Sequence, residues 1–392
     1  MPAPLETVTG CRVLLVGPAA PPYGGVALQT AMLEGVLQRE GAAVTFLASN
    51  PALSPKLRLC ERIPGVRTVL RSALYCARLL RALANVEIVD VQACSWWYFF
   101  LVTIPAVVAG RLARKRVVMK YHGGEAERFF ACCAPLLRPV FRMPNAVTAP
   151  SGFLAEVIRR RIGVPVEIVP NMIDLAAFRY RERRVVRPRM LVTRHLEKLY
   201  DVEMVIHAFR EVQTHYCDAS LWIAGSGSEE ARLRGLVAAW ELRNVSFLGQ
   251  VPYRDLPALY DQCDLLLNGS RSDNFPGSLI EAAAAGLVVI STGAGGIPYV
   301  FQDGVNALLV APEDWRALSA AVRRVLEEPG LALQLTRAAF QVSESCGWHH
   351  VRPLLFSVYG FAPAAIAGRR GGPRINGLRS AGRRSMAPLW PC

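Results

Sequence analysis

The fold class follows from residues 12–48, RVLLVGPAAPPYGGVALQTAMLEGVLQREGAAVTFLA. Arg12–Val16 is mostly Val and Leu, which is typical of a strand buried inside a parallel sheet. A turn rich in Gly and Pro comes next, and the spacing after it predicts a helix over Val26–Glu40, ended by Gly41. Ala43–Ala48 is the next predicted strand. A strand, a loop, a helix and a second strand form the repeating unit of a parallel α/β sheet.

The same unit recurs in two runs along the chain. The other strands predicted for the first run are Glu87–Gln92, Arg116–Lys120, Val147–Ala149 and Val166–Val169. An Arg-rich stretch, residues 179–189, separates the two runs. The strands predicted for the second run are Met190–Thr193, Leu221–Ala224, Val245–Leu248, Leu265–Leu267 and Val288–Ser291. Two such runs predict an α/β protein with two doubly wound, Rossmann-like domains, whose ligand cleft lies where the carboxyl ends of both sheets face each other.

Composition agrees with a protein of two or three domains. Of the 392 residues, 52% are hydrophobic and 19% are charged, which allows substantial cores. The longest apolar run, residues 96–109, contains Thr103 and Pro105 and is too short to span a membrane. The ten Cys residues form no C-x-x-C motif, so neither a zinc site nor a disulfide framework is indicated. No apolar leader is visible, and we expect a cytoplasmic protein.

The charge balance is strongly basic. The formal net charge is +14, and residues 361–392 contribute six Arg and no acid. This tail is rich in Gly, Arg and Pro, and we expect it to be disordered. Excess positive charge favours anionic partners such as nucleotides or acidic lipids. Since no zinc-finger or RNA-recognition signature is present, we expect no nucleic-acid partner.

The strongest functional motif is SRSDNFPGSLIEAAAAG, residues 270–286. Asp273 lies in a predicted loop, Ser278 is a predicted N-cap, and Glu281 lies in the helix eight positions after the first acid. The free N–H groups and the positive dipole end of this helix form an anion site. The residues that would present it to a donor are Gly277, Ser278 and Leu279. Acids on either side can hold hydroxyl groups, so the motif indicates a nucleotide-sugar pocket.

The spacing of Asp273 and Glu281 resembles the E-x7-E element of retaining GT-B glycosyltransferases of the family-4 type, the bacterial group 1 enzymes, with Asp as the first acid. Residues 169–174 are similar to the inter-domain linker of that family. The resemblance implies a GT-B fold. Its acceptor-side domain would comprise residues 1–170, completed by a last helix at 347–360, and its donor-binding domain residues 171–346. The tail at 361–392 has no counterpart in the family pattern.

The resemblance also assigns roles outside this motif. Gly24 and Gly25, after the first strand, would face the sugar and phosphates, and His122 would contact the donor sugar. Arg194 and Lys198 would neutralise the leaving diphosphate, although Lys198 follows Arg194 more closely than in the family. Two further donor-binding candidates lie in turns after strands, Gly225 in a G-x-G-x-E turn and Val251 beside the nucleotide base. No G-x-G-x-x-G motif is present, which argues against a dinucleotide cofactor.

The predicted function is transfer of a hexose-type sugar from a nucleoside diphosphate donor to a hydroxyl acceptor, with retention, in bacterial polysaccharide or glycolipid synthesis. The predicted catalytic residues are His122, Arg194, Asp273 and Glu281. We expect neither a metal nor a cofactor, because helix amides and basic side chains would stabilise the leaving group. The alternatives are a nucleotide-sugar epimerase on the same fold and a non-catalytic sugar-nucleotide-binding protein.

A basic helical face lies outside the predicted cleft. If residues 66–84 are helical, Arg67, Arg71, Arg78 and Arg81 share one face, accompanied by Leu70, Leu74 and Ala77. Such a face is compatible with weak contact to anionic lipid at the inner face of the membrane, and a solvated surface is the alternative. A lipid-linked sugar as the acceptor would favour the membrane contact.

Overall fold

The computed structural model describes residues 8–20, 24–53 and 63–362. Two six-stranded sheets form its centre, and all strands in each are parallel. The strands of the first sheet are β1 (Arg12–Gly17), β2 (Ala43–Ala48), β3 (Ile88–Ala93), β4 (Arg116–Tyr121), β5 (Ala146–Ala149) and β6 (Glu167–Ile168). The strands of the second are β7 (Arg189–Thr193), β8 (Ser220–Ala224), β9 (Val245–Gly249), β10 (Leu265–Asn268), β11 (Val288–Thr292) and β12 (Leu308–Val310).

Helices connect the strands and cover the sheets. Those of the first half are α1 (Gly25–Arg39), α2 (Pro64–Leu83), α3 (Ile104–Leu112), α4 (Ala126–Phe141) and α5 (Gly152–Ile162). Those of the second half are α6 (Val202–His215), α7 (Glu230–Ala239), α8 (Leu256–Gln262), α9 (Gly277–Ala284), α10 (Trp315–Glu327), α11 (Leu331–Ser345) and α12 (Trp348–Tyr359). Within the described ranges, no helix has the length and apolar character needed to cross a bilayer.

The strand orders place a crevice at the carboxyl edge of each sheet. They are β2-β1-β3-β4-β5-β6 and β12-β11-β10-β7-β8-β9. The direction of winding therefore reverses between β1 and β3 in the first sheet and between β7 and β10 in the second. Ligands of doubly wound sheets bind at such reversal points. Loops after β1, β3, β7 and β10 are thus the expected carriers of the site.

The last helix, α12, packs on the first sheet although it follows the second in the chain. Its buried Val351, Leu355 and Phe356 join a core cluster with Val13 and Leu15 of β1. Burial of apolar side chains on this face holds the chain end against the first sheet, at roughly 25 cal/mol per Å² of apolar surface removed from water. The chain therefore crosses between its two halves twice.

The predicted class, α/β with two doubly wound Rossmann-like domains, is confirmed. Every predicted strand is present with bounds shifted by at most one residue at an end, and Val166–Val169 is shortened at both ends to the two residues of β6. Strand β12 was not predicted. The disorder expected for residues 361–392 falls, from residue 363 onward, outside the described residues.

Candidate active site

Arg194 and Asp273 form an ion pair at the reversal point of the second sheet. Arg194 follows β7, Asp273 follows β10, and these strands are neighbours. The Arg194 Nη2 atom lies 2.6 Å from Asp273 Oδ2, and both side chains are about nine-tenths buried. The Nε–H of Arg194 also donates to Asn268 Oδ1 at 2.9 Å. The guanidinium is therefore fixed on two edges.

The third edge of this guanidinium, at Nη1, has no hydrogen-bond acceptor among the side chains and carbonyls of the described residues. The ring of Tyr200 lies against the group, with its centroid 5.3 Å from the guanidinium carbon. An immobilised guanidinium with a free N–H edge is well suited to bind a phosphate oxygen.

The start of α9 supplies further donors, but not through the predicted cap. Ser278 was predicted to be the N-cap; this is wrong, because Pro276 is the cap residue and the helix begins at Gly277, two residues earlier than a cap at Ser278 implies. Ser278 therefore lies inside the first turn. Its Oγ is buried and has no partner among the described residues. A buried hydroxyl without a partner is costly unless a ligand bonds it.

The backbone N–H groups in the first turn of α9 differ in whether they have an acceptor. The Gly277 N–H donates to Phe275 O at 3.0 Å, and the Leu279 N–H donates to Pro276 O at 3.1 Å. No backbone acceptor for the Ser278 N–H occurs in the described ranges. Ser278 thus offers both an amide and a hydroxyl, whereas the buried Leu279 side chain packs in the core.

Glu281 is buried in α9 and receives a hydrogen bond from Tyr260. The Tyr260 hydroxyl lies 2.9 Å from Glu281 Oε2 and 3.0 Å from Thr193 Oγ1. Burial raises the pKa of Glu281 to about 7, opposed by the Tyr260 bond and by the charge of Arg194. The Thr193 hydroxyl belongs to the same hydrogen-bonded group as Tyr260 and Glu281.

The carboxyl end of α9 is held by an arginine that the sequence analysis did not assign. Arg183 is fully buried, and its guanidinium donates to Ala285 O at 2.6 Å and to Cys263 O at 2.8 Å. It also lies 3.2 Å from Asp264. Burial lowers its pKa to about 10. A cation at a helix carboxyl end satisfies free carbonyls, so Arg183 fixes the helix that carries Ser278 and Glu281.

Loops after β8 and β9 adjoin Arg194. The Gly225 N–H donates to Gly249 O at 2.7 Å. A Cβ atom at Gly225 would collide with the Arg194 carbonyl, so only glycine allows these loops to approach so closely. Val251 is half-buried in the loop after β9. Lys198 is exposed and lines a separate surface depression with Asp201 and Arg232, so the structure does not bring it to Arg194.

The first sheet contributes a facing loop after β4. His122 lies there, half-buried, and its Nε2 is 2.7 Å from Gln92 Oε1. Burial and the positive charge of Lys120 hold the pKa of His122 well below its usual value. Gly24 and Gly25 lie at the start of α1, with open space where a Cβ would project. Residues 21–23 of the same loop are outside the described ranges.

Among the described residues, two side chains from the loops after β10 and β11 bond directly to the first half of the chain. Asn274, next to Asp273, donates through Nδ2 to Gly123 O at 2.5 Å and to His122 O at 3.3 Å. Farther along, the hydroxyl of Tyr299 donates to Glu156 Oε2 at 2.8 Å. The ion pair and His122 therefore lie on opposite sides of one crevice. Within the described residues, no cluster of His, Cys, Asp or Glu suits a metal ion.

Sequence reasoning missed Tyr260, Asn268 and Asn274. Asn268 ends β10 and bonds Arg194, Ser270 and Ser291, so a polar residue at a strand end was the available signal. Asn274 lay inside the motif already identified. Tyr260 belongs to α8, where nothing in the local sequence distinguishes it from a core aromatic residue.

Comparisons with known proteins agree with this geometry. The family profile described as Glycosyltransferase Family 4 matches residues 23–177, and that described as Glycosyl transferases group 1 matches residues 181–342. Glycogen synthase of Mycobacterium tuberculosis is 26% identical over 299 residues, 72% of this chain and 69% of that protein. The 2-deoxystreptamine glucosyltransferase of Streptomyces kanamyceticus is 30% identical over 156 residues, 39% of this chain and 40% of that protein.

Solved structures of similar fold cover nearly the whole described region. Sucrose-phosphate synthase of Thermosynechococcus elongatus has a TM-score of 0.69 at 18% identity, over 89% of this chain and 98% of that one. Anabaena HepE in complex with UDP-glucose has a TM-score of 0.67 at 15% identity, with the same coverage. These likenesses identify the fold as GT-B. With one family profile on each half, the chain belongs to the group 1 glycosyltransferases of the family-4 type, as the spacing of Asp273 and Glu281 predicted.

Proposed function

We propose that the protein transfers a hexose-type sugar from a nucleoside diphosphate to a hydroxyl acceptor, with retention at the anomeric carbon. The observation that carries the proposal is the fixed guanidinium of Arg194, whose Nη1 has no acceptor among the described residues. It lies at the same carboxyl edge of the sheet as the Ser278 amide and hydroxyl. Two donor groups of this kind match the two phosphates of a nucleoside diphosphate. Retention is supported by the family resemblance.

The proposed reaction breaks the bond between the anomeric carbon and a β-phosphate oxygen, and the electron pair leaves with the diphosphate. A new bond forms from the same carbon to the acceptor oxygen, and the acceptor proton passes to a phosphate oxygen. Negative charge grows on the diphosphate in the transition state. Arg194 and the Ser278 N–H would stabilise that charge without reorganisation, since both are already held in place.

The two acids would bind the rest of the donor. Glu281 would accept hydrogen bonds from the ribose hydroxyls, and these bonds are stronger when its carboxyl group is ionised. Asp273 would reach the sugar hydroxyls with Oδ1, because Oδ2 is bonded to Arg194. That Oδ1 already accepts the Phe275 N–H at 3.1 Å, and an oxygen with two lone pairs can accept a second bond. The diphosphate therefore meets a neutral ion pair, not an isolated cation.

Contacts across the crevice would exclude water from the reacting bond. Asn274 holds the Asp273 loop against Gly123, and Tyr299 holds the neighbouring turn against α5. Release and re-formation of these few bonds would allow the donor to enter and would limit its hydrolysis.

Helix α2 supports a lipid-linked acceptor at an anionic membrane, within polysaccharide or glycolipid synthesis. Arg67, Arg78 and Arg81 are exposed on it, and so are Val69 and Leu80. Val69 and Leu80 lie on the far side of the helix from the arginines, at about 100° per residue, so the basic face alone is what matches an anionic lipid surface. Flotation with vesicles containing anionic lipid tests this: binding should fall when Arg78 and Arg81 are replaced by Glu. Equal binding of the variant, or equal binding to neutral vesicles, would contradict it.

Donor identity is tested by a thermal-shift panel of sugar nucleotides, beginning with UDP-glucose, which is bound in the HepE structure. Products formed with cell-derived acceptors are then analysed by mass spectrometry and by NMR of the anomeric proton. Arg194→Ala should abolish the shift, and the matched control Arg254→Ala, at an 86% exposed side chain, should keep it. A new glycosidic bond with retained configuration is expected. An altered free sugar nucleotide would favour the epimerase, and binding without turnover would favour a non-catalytic protein.

A further inference from the structure

A buried polar network lies beneath His122 and has no role in the mechanism described so far. Asp90 and Gln92 belong to β3, and both are 1% exposed. Gln92 Nε2 donates to Asp90 Oδ1 at 2.6 Å, and the Tyr359 hydroxyl of α12 donates to Asp90 Oδ2 at 2.6 Å. The Oε1 of Gln92 faces His122 Nε2 at 2.7 Å.

The donors and acceptors of this network can be arranged in one way. An ionised carboxylate accepts only, so the Asp90 oxygens require the Gln92 amide to present its N–H. The carbonyl of that amide must then point at His122, and the proton of the bond must come from His122 Nε2. Burial raises the pKa of Asp90 only to about 6, so the carboxylate is ionised at neutral pH.

His122 itself is neutral under the same conditions. Burial and the Lys120 charge hold its pKa well below the usual value, so one ring nitrogen carries a proton and the other carries a lone pair. Among the described residues, no protein group bonds Nδ1, and Nδ1 is not one of the buried atoms that lack a partner. This nitrogen is therefore accessible.

We propose that Gln92 and Asp90 are positioning residues that fix His122 as the Nε2–H tautomer, with Nδ1 as an acceptor for a hydroxyl group of the transferred sugar. The part concerning the sugar rests on the proposed function, whereas the tautomer stands on the geometry of this chain alone. A ring fixed in this way binds a hydroxyl that donates, and it has no donor for a carbonyl oxygen at the same place.

The network is anchored to every segment that joins the two domains. Tyr359 belongs to the helix that returns from the second half. Lys120 is buried beside Asp90 and donates to Pro170 O, in the segment that leaves the first half, at 3.1 Å. Asn274 bonds the carbonyl of His122 itself. The orientation of the ring is thus fixed from three elements, and β3 supplies the residue that sets the tautomer.

The tautomer is tested on the ligand-free full chain by NMR of ¹⁵N-labelled histidine at pH 7.5. Long-range couplings between ring nitrogens and ring protons distinguish a protonated nitrogen from one with a lone pair. His122→Asn assigns the signals by difference among the six histidines. Nε2 protonated and Nδ1 unprotonated is the expected result. A protonated Nδ1, or an average of both tautomers, would overturn the proposal without any reference to activity.

A substitution of Gln92 tests whether this residue positions His122 or only supports the structure. Gln92→Met keeps the volume and removes the acceptor, so His122 should become a mixture of tautomers. UDP-glucose should then bind about 2–10-fold more weakly, the loss of one hydrogen bond, while UDP binds as before. Tyr359→Phe, which leaves the Gln92–His122 bond in place, should retain the tautomer.

The outcomes of this comparison are distinct. An equal loss for UDP and UDP-glucose would show a merely structural role and refute positioning by Gln92. If the wild type binds neither ligand, the proposed donor is wrong, while the NMR result still decides the tautomer. A single unchanged tautomer in a folded Gln92→Met protein would also contradict the proposal.

Discussion

Replacing Glu281 by Gln should stabilise the protein at alkaline pH and weaken donor binding at the same time. A pKa raised from 4.5 to about 7 costs the folded state about 3 kcal/mol once the carboxyl group is ionised both folded and unfolded. Glutamine has the shape of the neutral acid and can still accept the Tyr260 hydroxyl, but it cannot ionise. The variant therefore escapes this cost.

The sign follows from proton linkage. The folded-state pKa of Glu281 is above the unfolded one, so its stabilising contribution is full below pH 4.5 and is lost as pH rises through 7. The two proteins should unfold at similar temperatures near pH 5. By pH 8.5 the second domain of Glu281→Gln should unfold at a temperature about 6–12 °C above that of the wild type. This range follows from a difference of about 3 kcal/mol, at roughly 2–4 °C per kcal/mol for a domain of this size.

Calorimetry between pH 5 and 8.5 measures this difference. The matched control is Glu241→Gln, an exposed residue beyond α7, whose transition should follow the wild type. If the unfolding temperatures of Glu281→Gln and the wild type change in parallel with pH, the pKa of Glu281 is not raised by burial. The predicted weakening of donor binding is measured separately, as the affinity for the nucleoside diphosphate. Glu281→Gln should bind it about 10–100-fold more weakly, as expected for a lost hydrogen bond to a charged group. Wild-type affinity should rise as pH increases through 7.

Three further substitutions examine the surroundings of the same site. Asp273→Asn leaves the Arg194 guanidinium without its anion. Calorimetry should therefore show UDP bound as tightly as by the wild type or several-fold more tightly, while the rate of sugar transfer falls at least tenfold. Weaker UDP binding would contradict this. Arg183→Met leaves the buried carbonyls of Ala285 and Cys263 without their donor, while Asp264 keeps its pair with Arg181. The second domain should therefore lose about 1–3 kcal/mol in denaturant unfolding, and an unchanged midpoint would show that the helix needs no such anchor. Asn274→Ala removes the bonds to Gly123 and His122, so transfer should slow by up to about tenfold with UDP affinity unchanged; full activity would exclude a role in closure.

Much of the fold was predictable because parallel strands buried on both faces are short apolar runs. β1 and β2 were predicted almost to the residue for that reason. β12 was missed because three residues at a sheet edge are too short to show a pattern. The cap at Ser278 was wrong because Pro276, with its fixed φ, starts the helix early.

The site was predictable as a set of residues but not as an arrangement. The spacing of Asp273 and Glu281 identified the motif, yet only the adjacency of β7 and β10 brings Asp273 to Arg194. The hydrogen bond that opposes the raised pKa of Glu281 comes from Tyr260, on another helix. Contacts between elements distant in sequence carry no local signal, and Gln92 beneath His122 is a further example.

The proposed function requires a diphosphate bound between Arg194 and the first turn of α9. The decisive measurement is a crystal structure of the full chain with UDP-glucose. Phosphate oxygens are expected within about 3 Å of Arg194 Nη1 and of the Ser278 amide, with Glu281 at the ribose. A diphosphate bound elsewhere, with the bond between Arg194 and Asp273 intact and both Ser278 groups still without a partner, would contradict it.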